Sequence, residues 1–94
     1  MLGSSKQKVP GGKMLEARVE FEASILRIEI LGDFFLHPEE AITDIEDCLV
    51  GMPIAASAAE MALKLRELSG TRGIEMIGIT PEAIAWAVSK AVNG

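Results

Sequence analysis

Apolar residues stand at every second position in two neighbouring segments of the chain, from Leu15 to Phe21 and from Leu26 to Ile30. The residues between them are charged, so a period of two places the apolar side chains on one face of an extended backbone. A short connection at Ala23 separates the two segments. The pattern predicts an antiparallel β-hairpin with one buried face and one face in solvent.

Helical spacing replaces this alternation after the second strand. Pro38 suits the first turn of a helix, where its missing N–H is no loss, and Gly51 supplies a stop. Ser57 followed by Glu60 forms a capping-box pattern that opens a second helix. We expect that helix to end at Gly70.

The last part of the chain predicts one more strand and one more helix. Residues 73–79 are rich in isoleucine and bounded by glycine, and Thr80 with Pro81 forms a strong helix start. The predicted order is β-β-α-α-β-α, an α+β fold in which helices pack on one face of a small antiparallel sheet. Residues 1–12 show no periodicity and are expected to form a flexible N-terminal arm before a single domain at residues 13–94.

The composition argues against two classes of function, nucleic-acid binding and membrane insertion. The chain has 94 residues, enough for one domain, and a net charge of −5 at pH 7 with scattered basic residues. Nucleic-acid binding needs clustered lysine and arginine, and a membrane span needs about 20 consecutive apolar residues. The sequence has neither, and nothing in it resembles a signal peptide, so we expect a cytoplasmic protein.

Candidate catalytic groups are few. His37 is the only histidine and Cys48 the only cysteine, so neither a metal site nor a disulfide is predicted. The glycine-rich stretch at residues 9–14 lacks the spacing of a phosphate-binding loop and precedes a strand instead of a helix. The chain is therefore expected to bind no cofactor by itself and not to be a self-sufficient enzyme.

Two adjacent aromatic residues, Phe34 and Phe35, follow the second strand. Neighbouring side chains of an extended backbone face opposite ways, so both rings cannot enter one core. We expect one ring to pack where the hairpin meets the first helix and the other to stay exposed as a contact surface for a partner. The alternative is that both rings lie beneath the helices.

Three stretches of the sequence carry a family resemblance: KVPGGKMLEARVEF from Lys8, SILRIEILGDFFLHPEEAITDIEDCLVG from Ser24, and IEMIGITPEAIAWAVSKAV from Ile74. Together they resemble the small C-terminal, or accessory, domain of lipoate–protein ligases. The resemblance covers nearly the whole chain and is most specific in the GDFFLHPEE stretch. Glu46 matches a glutamate that the family typically carries in its first helix.

The resemblance implies a function. Lipoate–protein ligases activate lipoate with ATP to lipoyl-AMP and pass the lipoyl group to a lysine of a carrier, either a lipoyl domain of a 2-oxoacid dehydrogenase or the glycine-cleavage H protein. The large part of such an enzyme binds ATP, Mg and lipoate. A chain of this length that begins at Met1 is similar to the separate small subunit of the two-subunit archaeal form, which is not catalytic alone and is needed with the large subunit for activation.

The resemblance also indicates which residues would meet the large subunit. The glycine-rich lead-in contributes Gly12 and Lys13. Lys13 is in addition the one candidate for assisting catalysis, since a lysine can act as a point charge towards a phosphate. The remaining expected interface residues surround the end of the second strand: Asp33, Phe34, Phe35, His37 and Pro38.

Two other functions fit the same pattern. The domain could be a carrier-docking module that selects the acceptor protein and takes no part in activation. It could also be a small ligand-sensing domain that regulates an unrelated enzyme.

Overall fold

A computed structural model describes residues 1–9 and 13–93 of the chain. Its larger sheet consists of β1 (Leu2–Lys8), β2 (Met14–Phe21) and β3 (Ile25–Gly32), in that order and antiparallel throughout. The predicted hairpin is β2 and β3, and it is confirmed. Its register places the buried residues of the two strands opposite each other, with Ala17 facing Ile30 and Val19 facing Ile28.

The remaining elements form a smaller ribbon and three helices. β4 (Phe35–His37) pairs antiparallel with β5 (Glu75–Ile77). The helices are α1 (Ala41–Leu49), α2 (Ala58–Arg72) and α3 (Pro81–Asn93). The observed order is thus β-β-β-β-α-α-β-α. The α+β class is confirmed, and β1 and β4 are additions to the predicted order.

The core lies between the helices and one face of the larger sheet. β2 directs Leu15, Ala17, Val19 and Phe21 to this face, and β3 directs Ile28 and Ile30 there, as the alternation predicted. The alternation is wrong for Leu26, which is 49% exposed, because the pairing shifts register at Glu20 and Phe21 and Ile25 is buried in its place. The largest side chains that are completely or almost completely buried come from both layers: Leu15, Val19, Ile25, Ile45, Leu49, Met61, Leu65, Ile84 and Val88.

The expected flexible arm is wrong for residues 2–8, because they form β1 and pair with β2 along their whole length. The inward-facing residues of β1 are small or polar, so the hydrophobic alternation that reveals a strand is missing. They are small because α3 lies close: Ser5 Oγ donates to the Ala87 carbonyl oxygen at 2.6 Å, and a Cβ at Gly3 would collide with the Ala91 carbonyl oxygen. Residues 10–12 of the predicted arm lie outside the described residues.

Side-chain caps fix the starts of two helices as the sequence predicted. Ser57 Oγ accepts a hydrogen bond from the backbone N–H of Glu60 at 3.1 Å and opens α2. Thr80 Oγ1 accepts one from the backbone N–H of Ala83 at 3.1 Å and opens α3. Each cap satisfies a donor that the first turn of a helix leaves free.

Two predicted helix boundaries are wrong. α1 begins at Ala41 and not at Pro38, which instead accepts the Ala41 N–H through its carbonyl oxygen at 3.1 Å. α2 passes through Gly70 and ends at Gly73, whose φ of 66° is the left-handed conformation that a helix end requires and that glycine adopts without strain. Gly70 lies at an open position in the helix and does not interrupt it.

Among the helices that the structure describes, none is both long and apolar enough to cross a membrane.

Candidate functional site

The β4–β5 ribbon has one face in the core and one face in solvent. Leu36 faces Met76 across the ribbon, and Leu36 is buried. Phe35 faces Ile77 on the opposite side, where 71% of Phe35 and 52% of Ile77 are exposed. Directly opposed residues of an antiparallel pair share a face and contact each other. The ribbon therefore presents an aromatic and an aliphatic side chain together to solvent.

The next pair on the same face is polar. His37 lies opposite Glu75, and both are exposed. We call the four exposed residues of this face the ribbon patch: Phe35, His37, Glu75 and Ile77. Pro38 follows at the end of the patch, is exposed, and is joined to His37 by a cis peptide bond.

Phe34 and Phe35 diverge as the sequence predicted. Phe34 is half-buried and packs against the core, whereas Phe35 belongs to the ribbon patch. Gly78 lies beside this turn, since a Cβ built on it would be in ordinary contact with the Asp33 carbonyl oxygen at 3.4 Å. Gly78 also has a φ of 84°, which favours glycine. The alternative in which both rings are buried is wrong, and the contact of Phe35 with a partner stays a prediction.

Lys13 and Asp33 are brought to one end of the larger sheet. The backbone N–H of Asp33 donates to the Met14 carbonyl oxygen at 3.1 Å, and the Lys13 carbonyl oxygen accepts from the Val9 N–H at 2.9 Å. A Cβ at Gly32 would collide with the Met14 carbonyl oxygen, so glycine is needed where the chain leaves β3. The side chains of Lys13 and Asp33 are both exposed. Gly12, the other predicted residue of the lead-in, lies outside the described residues.

Glu46 connects α1 to the outer edge of β3, the edge that faces away from β2. Its Oε2 accepts a hydrogen bond from the Ile30 N–H at 2.9 Å. Burial raises the pKa of the Glu46 carboxyl above its ordinary value, and the Ile30 hydrogen bond opposes that shift. The glutamate that the resemblance singled out thus holds a helix to a strand.

Cys48 lies in α1 between the buried Ile45 and Leu49 and is itself half-buried. Its Sγ is 3.8 Å from the Lys64 carbonyl oxygen of α2. Burial raises the pKa of the Cys48 thiol, which disfavours the reactive thiolate form. The residue acts as packing between α1 and α2.

The described residues contain no group of three His, Cys, Asp or Glu side chains placed to hold a metal ion. The chemistry that the ribbon patch and the Lys13–Asp33 end offer is recognition: exposed apolar area beside a few charges.

No protein-family model and no curated protein matches the chain. A chain from a solved structure does match, in a study described as the structural analysis of an archaeal lipoylation system, a bipartite lipoate protein ligase and its E2 lipoyl domain from Thermoplasma acidophilum. The TM-score is 0.76, the identity is 27%, and the match covers 94% of each chain. The resemblance to the lipoate–protein ligase accessory domain is confirmed. It concerns the whole fold, since almost none of either chain lies outside the match.

The exposure of Ile77 was not predicted from the sequence. The sequence predicted a strand over residues 73–79 without assigning its faces. The signal was present, however, because a period of two places Ile77 on the same face as Glu75, and a glutamate marks that face as solvent-exposed.

Proposed function

We propose that this chain is the small accessory subunit of a two-subunit lipoate–protein ligase. In this proposal it is not catalytic alone and is required with a large subunit for the ATP-dependent conversion of lipoate to lipoyl-AMP. ATP, Mg and lipoate bind to the large subunit, and the lipoyl group passes from the complex to a lysine of a lipoyl carrier. The observation that carries the proposal is the match over 94% of both chains to a chain of an archaeal lipoylation system that includes a bipartite lipoate protein ligase.

The surface of the chain supports the accessory role. An exposed phenylalanine in contact with an exposed isoleucine is costly in water and is a common centre of protein–protein interfaces. The ribbon patch supplies both, with His37 and Glu75 beside them as a polar rim. We propose that the large subunit covers this patch. Binding then favours the active conformation of the large subunit to the extent that this conformation binds the patch more tightly.

Lys13 and Asp33 extend the proposed interface at the neighbouring end of the sheet. They present opposite charges on exposed side chains, and exposed charges at the rim of an interface steer association more than they strengthen it. Lys13 remains the one candidate for a direct role beside a phosphate of ATP.

The decisive experiment measures pyrophosphate release from ATP and lipoate by the cognate large subunit, with and without this chain. The proposal expects release only when the chain is present. Equal release in both mixtures would contradict it. If release is equal but transfer of the lipoyl group to a carrier domain needs the chain, carrier docking replaces activation as the function.

A further inference from the structure

β1 is an edge strand, and its outer edge carries backbone groups without partners. Met1 and Phe21 exchange two backbone hydrogen bonds, at 2.7 and 2.9 Å, and the Val9 N–H donates to the Lys13 carbonyl oxygen at 2.9 Å. In an antiparallel pair such bonds fall on alternate residues. The residues between them therefore direct N–H and C=O away from β2: Leu2, Ser4, Lys6 and Lys8.

The other edge of this sheet, on β3, is covered at two points. At β3, the Ile25 N–H donates to the Met52 carbonyl oxygen at 2.9 Å, and the Ile25 carbonyl oxygen accepts from the Gly51 N–H at 2.8 Å. Farther along β3, Glu46 binds the Ile30 N–H. No described residue does the same for β1. An open edge of this kind is a template for one more strand.

The side chains on the edge select the charge of that strand. Lys6 lies opposite Glu16 and Lys8 opposite Met14, so both lysines point to the solvent face of the sheet. Glu16 is already paired with Arg18 at 3.0 Å. Lysines on an edge repel a basic strand, including the same edge of a second copy, and attract acidic side chains at the opposing positions.

The helix side of the edge selects apolar side chains. A groove of about 320 Å³ lies between the end of β1 and the first turns of α3, and Val9, Ala83 and half-exposed Trp86 line it. Lys90 Nζ lies 5.6 Å from the centre of the Trp86 ring. Glu82 at the rim is paired with Arg66. Side chains that an added strand directs towards the helices would enter this apolar groove.

We propose that the open edge of β1 binds an extended segment of a partner protein that alternates acidic and apolar residues. The segment pairs with Leu2–Lys8 as a fourth strand. Its acidic side chains lie beside Lys6 and Lys8 on the solvent face, and its apolar side chains lie on the helix side towards Trp86. This surface is separate from the ribbon patch and does not depend on the proposed role in lipoylation.

The test uses the full chain and a blocked peptide of alternating glutamate and valine, as long as the seven residues of β1. Amide hydrogen exchange is followed by NMR with and without the peptide. Strand addition protects the amides of Leu2, Ser4, Lys6 and Lys8, whereas the alternate amides of β1 are already bonded to β2. Absence of binding, or binding without this alternating protection, overturns the proposal.

Two variants separate strand addition from simple charge attraction. Ser4→Pro removes one outward N–H, and proline is tolerated on the open side of an edge strand. It should lower the affinity for the peptide by about tenfold while the chain keeps its stability. Lys6→Glu should lower the affinity by roughly tenfold through like-charge repulsion. Lys64→Glu, the same change on the exposed face of α2, is the matched control and should leave the affinity unchanged.

Three results would contradict the proposal. If Ser4→Pro binds like the unaltered chain, or if Lys64→Glu weakens binding as much as Lys6→Glu, no fourth strand forms. If Ser4→Pro proves unstable, the alternating protection pattern of the unaltered chain decides. A peptide of alternating lysine and valine should not bind, and equal binding of that peptide would also contradict the proposal.

Discussion

Phe34 and Phe35 are neighbours in sequence but lie in different environments. The Phe34 ring fills space at the edge of the core, while the Phe35 ring lies in solvent against Ile77. An exposed ring contributes little to folding, because it stays in water in both states. Substitutions at the two positions should therefore separate stability from association.

We expect Phe35→Ala to weaken association with the large subunit by about tenfold or more, because central aromatic residues dominate interfaces. Its free energy of unfolding should change by less than about 0.5 kcal/mol. Phe34→Ala should instead cost about 2 kcal/mol of stability through lost packing. Denaturant unfolding and a titration of the large subunit measure both effects.

Leu63→Ala is the matched control, since Leu63 is an exposed apolar residue of α2 outside the ribbon patch. It should leave association unchanged. If Phe35→Ala and Leu63→Ala bind the large subunit equally well, the ribbon patch is not the interface.

Lys13 can be tested for the role near a phosphate. Lys13→Ala should reduce lipoyl-AMP formation in the assembled complex by roughly tenfold if its charge meets a phosphate in the reaction, a typical loss for one charged contact. Lys64→Ala, on the exposed face of α2, controls for the loss of a positive charge. Pyrophosphate release measured at saturating small subunit isolates this effect from weaker association. Unchanged release would assign Lys13 to docking or to structure.

Glu46 should make stability depend on pH with a defined sign. Burial raises its folded-state pKa above the ordinary value of 4.5. Below that value the carboxyl is protonated in both states; as the pH rises, the unfolded chain ionises first, so this residue lowers stability as the pH passes through the raised pKa. Glu46→Gln keeps an acceptor for the Ile30 N–H without the charge. The free energy of unfolding of Glu46→Gln minus that of the unaltered chain should therefore be larger at about pH 7 than at about pH 4.

Denaturant unfolding at the two pH values measures that difference, and Asp47→Asn, the same chemical change at the next residue of α1, supplies the background. A difference between the unaltered chain and Glu46→Gln that is identical at both pH values would show that Glu46 does not titrate differently in the folded state.

At the scale of elements, the two glycines at the end of α2 show how a helix boundary is decided. Gly70 lies within the helix in open space, whereas Gly73 adopts the left-handed conformation that ends it. A glycine marks a helix end only where its backbone takes a positive φ, and the sequence does not show which of two nearby glycines does so.

Alanine substitutions at these glycines should therefore have opposite signs. Gly70→Ala should raise the free energy of unfolding by about 0.5–1 kcal/mol, because alanine is the better helix former. Gly73→Ala should lower it by about 1 kcal/mol, because a side chain is strained at positive φ. Thermal or denaturant unfolding of the two variants checks the pair. The same sign for both would place the helix end elsewhere.

What could be predicted from the sequence depended on whether an element buries its own apolar face. β2 and β3 do so, and their alternation located the two strands, except that it placed Leu26 on the buried face where the register shift puts Ile25. β1 does not: Gly3 and Ser5 face α3 at a distance that leaves no room for large side chains, so its strand character has no hydrophobic signature. β4 is three residues long, too short for any period to show.

The candidate site, too, could be predicted only in part. The divergence of the two phenylalanines follows from backbone geometry alone. The pairing of Phe35 with Ile77 joins residues that are far apart in the chain, and no local pattern contains such a contact.

At the scale of the whole molecule, β1 is part of the domain and not an arm attached to it. Removal of residues 1–8 would strip the hydrogen-bond partners from one side of β2 and expose the alanine-lined face of α3. We expect such a chain to lose at least about 2 kcal/mol of stability. Denaturant unfolding measures the loss, with Leu2→Ser, a change at a highly exposed residue of β1, as the control. An unchanged unfolding midpoint for the shortened chain would mean that residues 1–8 behave as an arm and add no stability.

The contact of Ser5 with Ala87 ties the first strand of the chain to its last helix. During synthesis on the ribosome, β1 is made just before its hairpin partner β2 but long before α3, which covers its inner face. Loop-closure entropy opposes contacts between such distant segments until the intervening chain has folded. The nascent chain should therefore be able to pair β1 with β2 early, while the inner face of β1 stays uncovered until β3 and all three helices have been made. A translational pause or a chaperone that holds the N-terminus would then delay one specific step, the closing of the sheet onto α3.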